Sequence, residues 1–285
     1  MNQTALPLET LYPEDLLTGG HQACPGCGGT IALRQALMAL GPRTVIVIPA
    51  SCMATVGGSG LSTAWRIPFV HSLFECAPAV ASGIKAALVA QGKNDVQVVT
   101  WAGDAGSADI GFQSLSGAAE RNEDILHVCY DNEVYMNTGG QAGGLTPSGA
   151  TTQDTARGKP TRKKDLFEIM CAHHIPYAAT ASIAYPQDLI AKVQKAKTIK
   201  GFRFIHVLTP CPEPTGWDYP ADQTIAMARL AVETGLWQLA EMENGERRIT
   251  YAPEQRRPVE EYLLAQGRFR RNRAEIIRSL ETEIP

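Results

Sequence analysis

The sequence predicts an α/β fold: a doubly wound parallel sheet with a helical arm at its C-terminal end. Three observations predict it. Continuous β-branched or apolar runs, the mark of parallel strands buried on both faces, recur along the chain. Segments with helical periodicity separate them, and that alternation builds parallel sheets. Polar and sulfur-bearing residues directly follow several of the strand runs, where open α/β sheets bind their ligands.

Taken in order, residues 1–20 form a lead-in without periodicity, closed by Gly19-Gly20. Thr30 to Leu40 places Ile31, Leu33, Leu37, Met38 and Leu40 at helical spacing. Thr44 to Ile48 is a β-branched run and the first strand, and a glycine-rich segment follows at Gly57 to Gly60. Ala77 to Gln91 is a helix of small residues able to pack closely. Val96 to Trp101 and Ile125 to Tyr130 are the second and third strands. Residues 140–160, rich in Gly, Thr, Ser and Pro, read as an ordered functional loop or a mobile lid. Lys164 to Ala172 and Pro186 to Lys197 are helices, and Phe202 to Thr209 is the fourth strand. Beyond residue 222 the charge becomes mixed, and Arg256, Arg257, Arg268, Arg270, Arg271, Arg273 and Arg278 cluster. The expected organisation is a lead-in at 1–20, a binding domain at 21–221, and a helical arm at 222–285 that docks on a partner subunit.

The chain has 285 residues, 44% of them apolar, which is ample for a large core. Lys and Arg number 26 against 29 Asp and Glu, for a formal charge of −3, which argues against a general nucleic-acid binder. No apolar run approaches the ~18 residues of a membrane span, and Met1-Asn2-Gln3-Thr4 does not open a signal segment. The expected location is therefore the cytoplasm, where seven cysteines point to metal or redox chemistry rather than disulfides.

Two constellations carry chemistry. In the first, Val98 to Gly103 runs as a strand into Asp104, followed by the small residues Ala105, Gly106, Ser107 and Ala108. The next strand ends in Asp131-Asn132-Glu133-Val134. One strand-to-strand repeat separates Asp104 from Asn132, so both emerge at the same sheet edge. A hard divalent cation wants oxygen ligands, and the Asp104 carboxylate, the Asn132 amide and the Val134 carbonyl can supply three. The pattern resembles the magnesium and thiamine-diphosphate motif of thiamine-dependent enzymes. Ala105 stands where a third-position glycine is usual, and Asp131-Asn132 where many members have Asn-Asn, but neither change removes a ligand.

In the second constellation, Cys24-Pro-Gly-Cys27 opens the first helix, Cys52 follows the first strand, and Cys211 follows the fourth. Four thiolates at one sheet edge suit tetrahedral zinc or a [4Fe–4S] cluster equally. Cys129 and Cys171 read as core, whereas Cys76 is ambiguous. His127 and His206, inside strands, also read as core, and His173 and His174 as structural.

Together these motifs, with His71-Ser-Leu-Phe-Glu75, Asp109-Ile-Gly111, Arg121-Asn122, Asp131 to Gly139, Lys163-Lys164-Asp165, Ala172 to Tyr177 and Thr209-Pro-Cys211-Pro, resemble the β subunit of 2-oxoacid:ferredoxin oxidoreductases, most closely the pyruvate type. The resemblance covers most of the chain. It implies thiamine diphosphate, Mg²⁺ and one [4Fe–4S] cluster. Cys24, Cys27, Cys52 and Cys211 would hold the cluster, and Asp104, Asn132 and Val134 the Mg²⁺, with Gly103 and Ala105 flanking it. It further implies α-, γ- and δ-type partner subunits, ferredoxin, a 2-oxoacid and coenzyme A. Asn137 would lie near the reacting carbonyl, and Glu75 and His71 would position substrate or cofactor. The stretch from Cys211 to Gly216-Trp217 is longer than in many relatives. Two other readings compete: a non-redox thiamine-dependent lyase with structural zinc, and a non-enzymatic metal scaffold. A decarboxylase needs no electron outlet, and a scaffold needs no Asp104/Asn132 pair.

Overall fold

The computed structural model describes residues 11–58, 60–271 and 276–277. Among them, eight strands form one sheet in the order β2-β1-β3-β4-β6-β5-β7-β8. The first six, β1 (Thr44–Pro49), β2 (Phe69–Ser72), β3 (Gln97–Gly103), β4 (Leu126–Asp131), β5 (Tyr177–Ser182) and β6 (Arg203–Leu208), run parallel. All of β4, β5 and β6 is buried, as expected for strands covered on both faces. β7 (Leu239–Glu243) and β8 (Glu246–Tyr251) form an antiparallel hairpin that extends the sheet past β5.

Helices cover both faces. α1 (Gly28–Leu40), α2 (Cys52–Val56) and α7 (Pro186–Thr198) pack against Val99, Trp101, Val128, Ala179 and Ile205 on one side. α3 (Ala77–Ala90), α5 (Phe112–Glu120) and α6 (Leu166–Ala172) pack against Val98, Cys129, Ala178 and Phe204 on the other. Successive strand residues thus face opposite layers, as the pleat requires. α4 (Asp104–Ala108) fills the turn between β3 and α5.

The expected doubly wound sheet is present, with strands that the sequence reading passed over. β2 has only four residues, and β5, Tyr-Ala-Ala-Thr-Ala-Ser, is too rich in alanine to read as a strand. Beyond residue 222, α8 (Thr224–Glu233) and α9 (Val259–Leu264) are helical, but the β7–β8 hairpin between them is not. This segment forms its own apolar cluster with Trp217, Leu230, Trp237, Tyr262, Leu263 and Phe269. Arg273 and Arg278 of the arginine cluster, and residues 1–10 of the lead-in, lie outside the described residues. Residues 140–160 form an ordered loop with Leu145, Thr146 and Ala150 fully buried. No helix among the described residues is long and apolar enough to cross a membrane.

The topology explains where function collects. From β1 the chain crosses to β2 on one side, then returns past β1 to β3 on the other. The carboxyl ends of β1 and β3 therefore border a crevice at a switch point.

Candidate active site

β3 ends at Gly103 and the chain turns directly into α4 at Asp104. Asp104 is buried, and its Oδ1 accepts a hydrogen bond from the Ala105 amide at 2.8 Å. Its Oδ2 is buried without a hydrogen-bond partner. Burial, reinforced by the nearby Asp131 carboxylate, holds the Asp104 carboxyl well above the usual carboxylate range. A partnerless buried carboxylate oxygen is costly. A divalent cation at that point removes the cost and restores ionisation.

The adjacent strand supplies the facing loop. β4 pairs with β3 in the register Gly103↔Tyr130 and ends at Asp131. Asp131 does not share the condition of Asp104. Burial opposes its ionisation, but Lys163 and His206, each 2.9 Å from Oδ2, outweigh it and bring its carboxyl down to about 2. Next come Asn132, Glu133 and Val134, all buried. The Asn132 side-chain oxygen accepts from the Val134 amide at 3.3 Å, and its carbonyl accepts from Trp217 Nε1 at 2.8 Å.

Glu133 has φ +62°, the left-handed region that disfavours a side chain. Four contacts hold it there. Its amide donates to Asp131 Oδ1 at 2.8 Å, and its carbonyl accepts from Thr146 Oγ1 at 2.6 Å. Its carboxylate takes Lys163 Nζ on one oxygen and Arg268 Nη2 on the other, each at 2.5 Å.

The four cysteines come from three loops on the same edge. Cys27 immediately precedes α1, and a Cβ on Gly28 would lie 2.6 Å from the Pro210 carbonyl oxygen. Only glycine lets the start of α1 meet the backbone leading into Cys211 this closely. A Cβ on Gly29 would approach the Met53 methyl to 3.3 Å, which ties α1 to the segment carrying Cys52. Burial pushes the Cys52 thiol up to about 12, with Cys27, Asp104 and Cys24 adding to the shift. Cys211 is likewise pushed up, by burial and then by Cys27, Cys52 and Glu213 against a backbone hydrogen bond that lowers it, and Cys24 by burial and then Glu213. Thiols gathered in this way cannot all ionise unaided, whereas a cationic centre among them would favour the thiolates. Among the described residues no three His, Cys, Asp or Glu side chains form a group set for a metal ion, so the cysteine assignment rests on this convergence of loops.

The remaining candidates lie on the rim. His71 is exposed on β2, and Glu75 sits half-buried in the turn between β2 and α3. The neighbouring Phe74 packs at 3.3 Å from the Cβ position of Gly106 and edge-on to Tyr135, so this turn touches both halves of the site. Asn137 is exposed on the turn closed by the Tyr135–Gln141 bridge. Cys76 precedes α3, its sulfur 3.8 Å from the Leu73 carbonyl. Cys129 is fully buried in β4 and Cys171 is partly buried against the same cluster. His127 and His206 are buried, the second as a partner of Asp131.

Sequence reasoning did not reach the support behind Glu133. Nothing local to Lys163-Lys164-Asp165 points back to Glu133, and Trp217 and Arg268 lie far along the chain. The pairing Tyr135–Asp109–Lys164 was missed too: Asp109 accepts from Tyr135 Oη at 2.6 Å, Lys164 at 2.7 Å and the Gly144 amide at 2.8 Å. Behind the loop lies a cavity of about 430 Å³ lined by Glu133, Lys163, His206, Trp237 and Tyr262, but by none of the four cysteines, Asp104 or Asn132.

Comparison with known proteins gives a consistent picture. The thiamine pyrophosphate enzyme, C-terminal TPP binding domain, matches residues 52–207. Pyruvate synthase subunit PorB of Methanothermobacter thermautotrophicus is 51% identical over 262 residues, covering 90% of each chain. Ketoisovalerate oxidoreductase subunit VorB of Pyrococcus abyssi is 46% identical over 273 residues, covering 92% of this chain and 87% of that one. A 2-oxoglutarate:ferredoxin oxidoreductase from Magnetococcus marinus superposes with a TM-score of 0.59 at 22% identity, over 79% of this chain and 81% of that one, a likeness of fold.

Proposed function

From the family to which the chain belongs, the β subunits of thiamine-diphosphate-dependent 2-oxoacid:ferredoxin oxidoreductases, we propose a pyruvate-oxidising site that binds thiamine diphosphate through Mg²⁺ beside one [4Fe–4S] cluster. The observation that carries the metal assignment is the buried, partnerless Asp104 oxygen at the end of β3. When bound, thiamine diphosphate supplies the carbon nucleophile and electron sink for decarboxylation, and the cluster takes up electrons singly.

The chain's own residues do the rest. Asp104, Asn132 and the Val134 carbonyl hold Mg²⁺, and Gly103 and Ala105 keep the backbone close to the diphosphate. Lys163 and His206 keep Asp131 ionised and both occupy its Oδ2, so Asp131 already has its partners, whereas Oδ2 of Asp104 is left for the cation. Cys24, Cys27, Cys52 and Cys211 hold the cluster. The Cys52 thiol feels the charge of Asp104, which supports placing the two centres on the same sheet edge. Asn137 donates a hydrogen bond to the substrate oxygen as charge develops on it, and Glu75 orients substrate or cofactor from the opposite turn. Partner subunits of α, γ and δ type complete the enzyme, the segment beyond residue 222 docking on them, with coenzyme A as acyl acceptor and ferredoxin as electron acceptor. A branched-chain 2-oxoacid is the second reading, favoured by the close similarity to a ketoisovalerate subunit.

The test is the visible spectrum of the anaerobically purified complex before and after pyruvate and coenzyme A are added. Bleaching on addition is the expected result. A colourless, zinc-bearing protein would overturn the cluster assignment, and bleaching by 3-methyl-2-oxobutanoate alone would move the substrate to the branched-chain class.

A further inference from the structure

We propose that Arg268 is a positioning residue for the cation loop, because its buried guanidinium grips Glu133 Oε2 at 2.5 Å and stacks 4.0 Å over the Trp217 ring that holds the Asn132 carbonyl. The inference rests on the assignment of Asn132 and Val134 as ligands. Arg268 lies in the 3₁₀ turn Gly267–Phe269, 135 residues from Glu133, in the C-terminal segment rather than the binding domain.

Glu133 is the residue between the two loop ligands, and its left-handed conformation sets the direction in which they leave β4. Such a conformation persists only where the surroundings over-determine it. Lys163 holds one carboxylate oxygen and Nη2 of Arg268 the other, so together they fix the end of a side chain whose backbone must stay strained. Its second hold is indirect: the guanidinium covers the Trp217 face, and Trp217 Nε1 fixes the Asn132 carbonyl. Arg268 is itself immobilised. Its Nε donates to Gln266 Oε1 at 2.8 Å, and its carbonyl accepts from the amide and hydroxyl of Thr151 at 2.8 and 2.9 Å. The 140–160 loop thus holds the backbone of Arg268 as well as the carbonyl of Glu133, through Thr146. One consequence is that cofactor affinity in this chain depends on a residue contributed by its C-terminal segment.

The test uses the intact complex stripped of Mg²⁺ and thiamine diphosphate, and reads thermal midpoint against Mg²⁺ concentration at fixed thiamine diphosphate, with steady-state kinetics beside it. Arg268→Met is expected to raise the Mg²⁺ concentration for half-maximal stabilisation by ~10-fold or more, the usual cost of losing a ligand's support. The KM for the cofactor should follow, with kcat at saturation changed by no more than about twofold. Arg268→Lys and Glu133→Gln should fall in between, and they carry the test if Arg268→Met does not fold. Leu263→Ala hollows the same C-terminal cluster but removes none of the hydrogen bonds that Arg268 and Lys163 make to Glu133. It should lower the midpoint and leave the Mg²⁺ requirement unchanged. An equal rise in Leu263→Ala, or no rise in the Arg268 variants, would overturn the inference. Absence of any Mg²⁺-dependent stabilisation in the wild type would overturn the ligand assignment itself.

Discussion

Asp104 and Asp131 show how two buried carboxylates 27 positions apart acquire opposite characters from their neighbours. The first has an orphan oxygen, and the second has a lysine and a histidine. Sequence spacing placed Asp104 and Asn132 together because each ends a strand and strand ends are local features. It could not assign Glu133, Lys163 and Arg268 to one another, since their meeting depends on how the C-terminal segment folds back. His127 permits a prediction at this scale. Ser107 Oγ donates to the Gly103 carbonyl at 2.8 Å, so it must accept from His127 Nε2 at 2.9 Å, and Nδ1 accepts from Thr100 Oγ1 at 2.6 Å. The imidazole is therefore the neutral Nε2–H tautomer. Burial, and secondarily His206, lowers its pKa from 6.5 to about 3. The folded protein stays unprotonated there while the unfolded chain takes up a proton below pH 6.5, so stability is lost as pH falls from about 6.5 toward 3. This one group contributes a slope on the order of 1 kcal/mol per pH unit. Apparent thermal midpoints of His127→Gln at a fixed scan rate should decline less steeply over that window than those of the wild type. Parallel declines would exclude a buried neutral imidazole.

At the scale of elements, the β-branched or apolar runs of β1, β3, β4 and β6 were legible because propensity and burial agree in them. β7 was not: Leu-Ala-Glu-Met-Glu favours a helix by composition, and only pairing with β5 makes it a strand. The contact between α1 and the segment before Cys211 was equally hidden, although Gly28 itself stood within the cysteine motif. That contact is testable. Gly28→Ala would drive a methyl group into the Pro210 and Thr209 backbone at 2.6–2.7 Å, which no side-chain adjustment relieves. The start of α1 must then move away from the Cys211 loop. Iron bound by this chain should fall well below the wild-type level, since losing a ligand's support costs about 10-fold or more in metal affinity, while Mg²⁺-dependent binding of thiamine diphosphate stays near the wild-type level. Full iron content in the variant would show that the two segments can separate without loss of the cluster.

Across the whole molecule, the crossovers share one hand. Steps from β2 to β3, β3 to β4 and β4 to β5 use helices on one face, and the reverse steps from β1 to β2 and β5 to β6 use helices on the other. The strand ends that carry the candidate ligands consequently open toward one side. Exposed apolar side chains stand just past two of the elements leading there, Leu73 after β2 and Ile110 after α4, and Val70 is exposed on β2. Leu73 is 69% exposed, and burying such a group contributes roughly 1.5–3 kcal/mol to association. Leu73→Asp should reduce recovery of partner subunits in co-purification without lowering the thermal midpoint of the chain alone. Undiminished recovery would place the interface elsewhere. The opposite margin of the sheet behaves differently. On β8, Glu246, Arg247 and Arg248 all stand in solvent. A strand from another chain adding there would have to strip water from those ionised groups, a cost that edge strands commonly exploit. The sheet therefore ends at β8 as a terminus that resists templating, so at high concentration neighbouring copies should not polymerise by extending one another's backbone ladder.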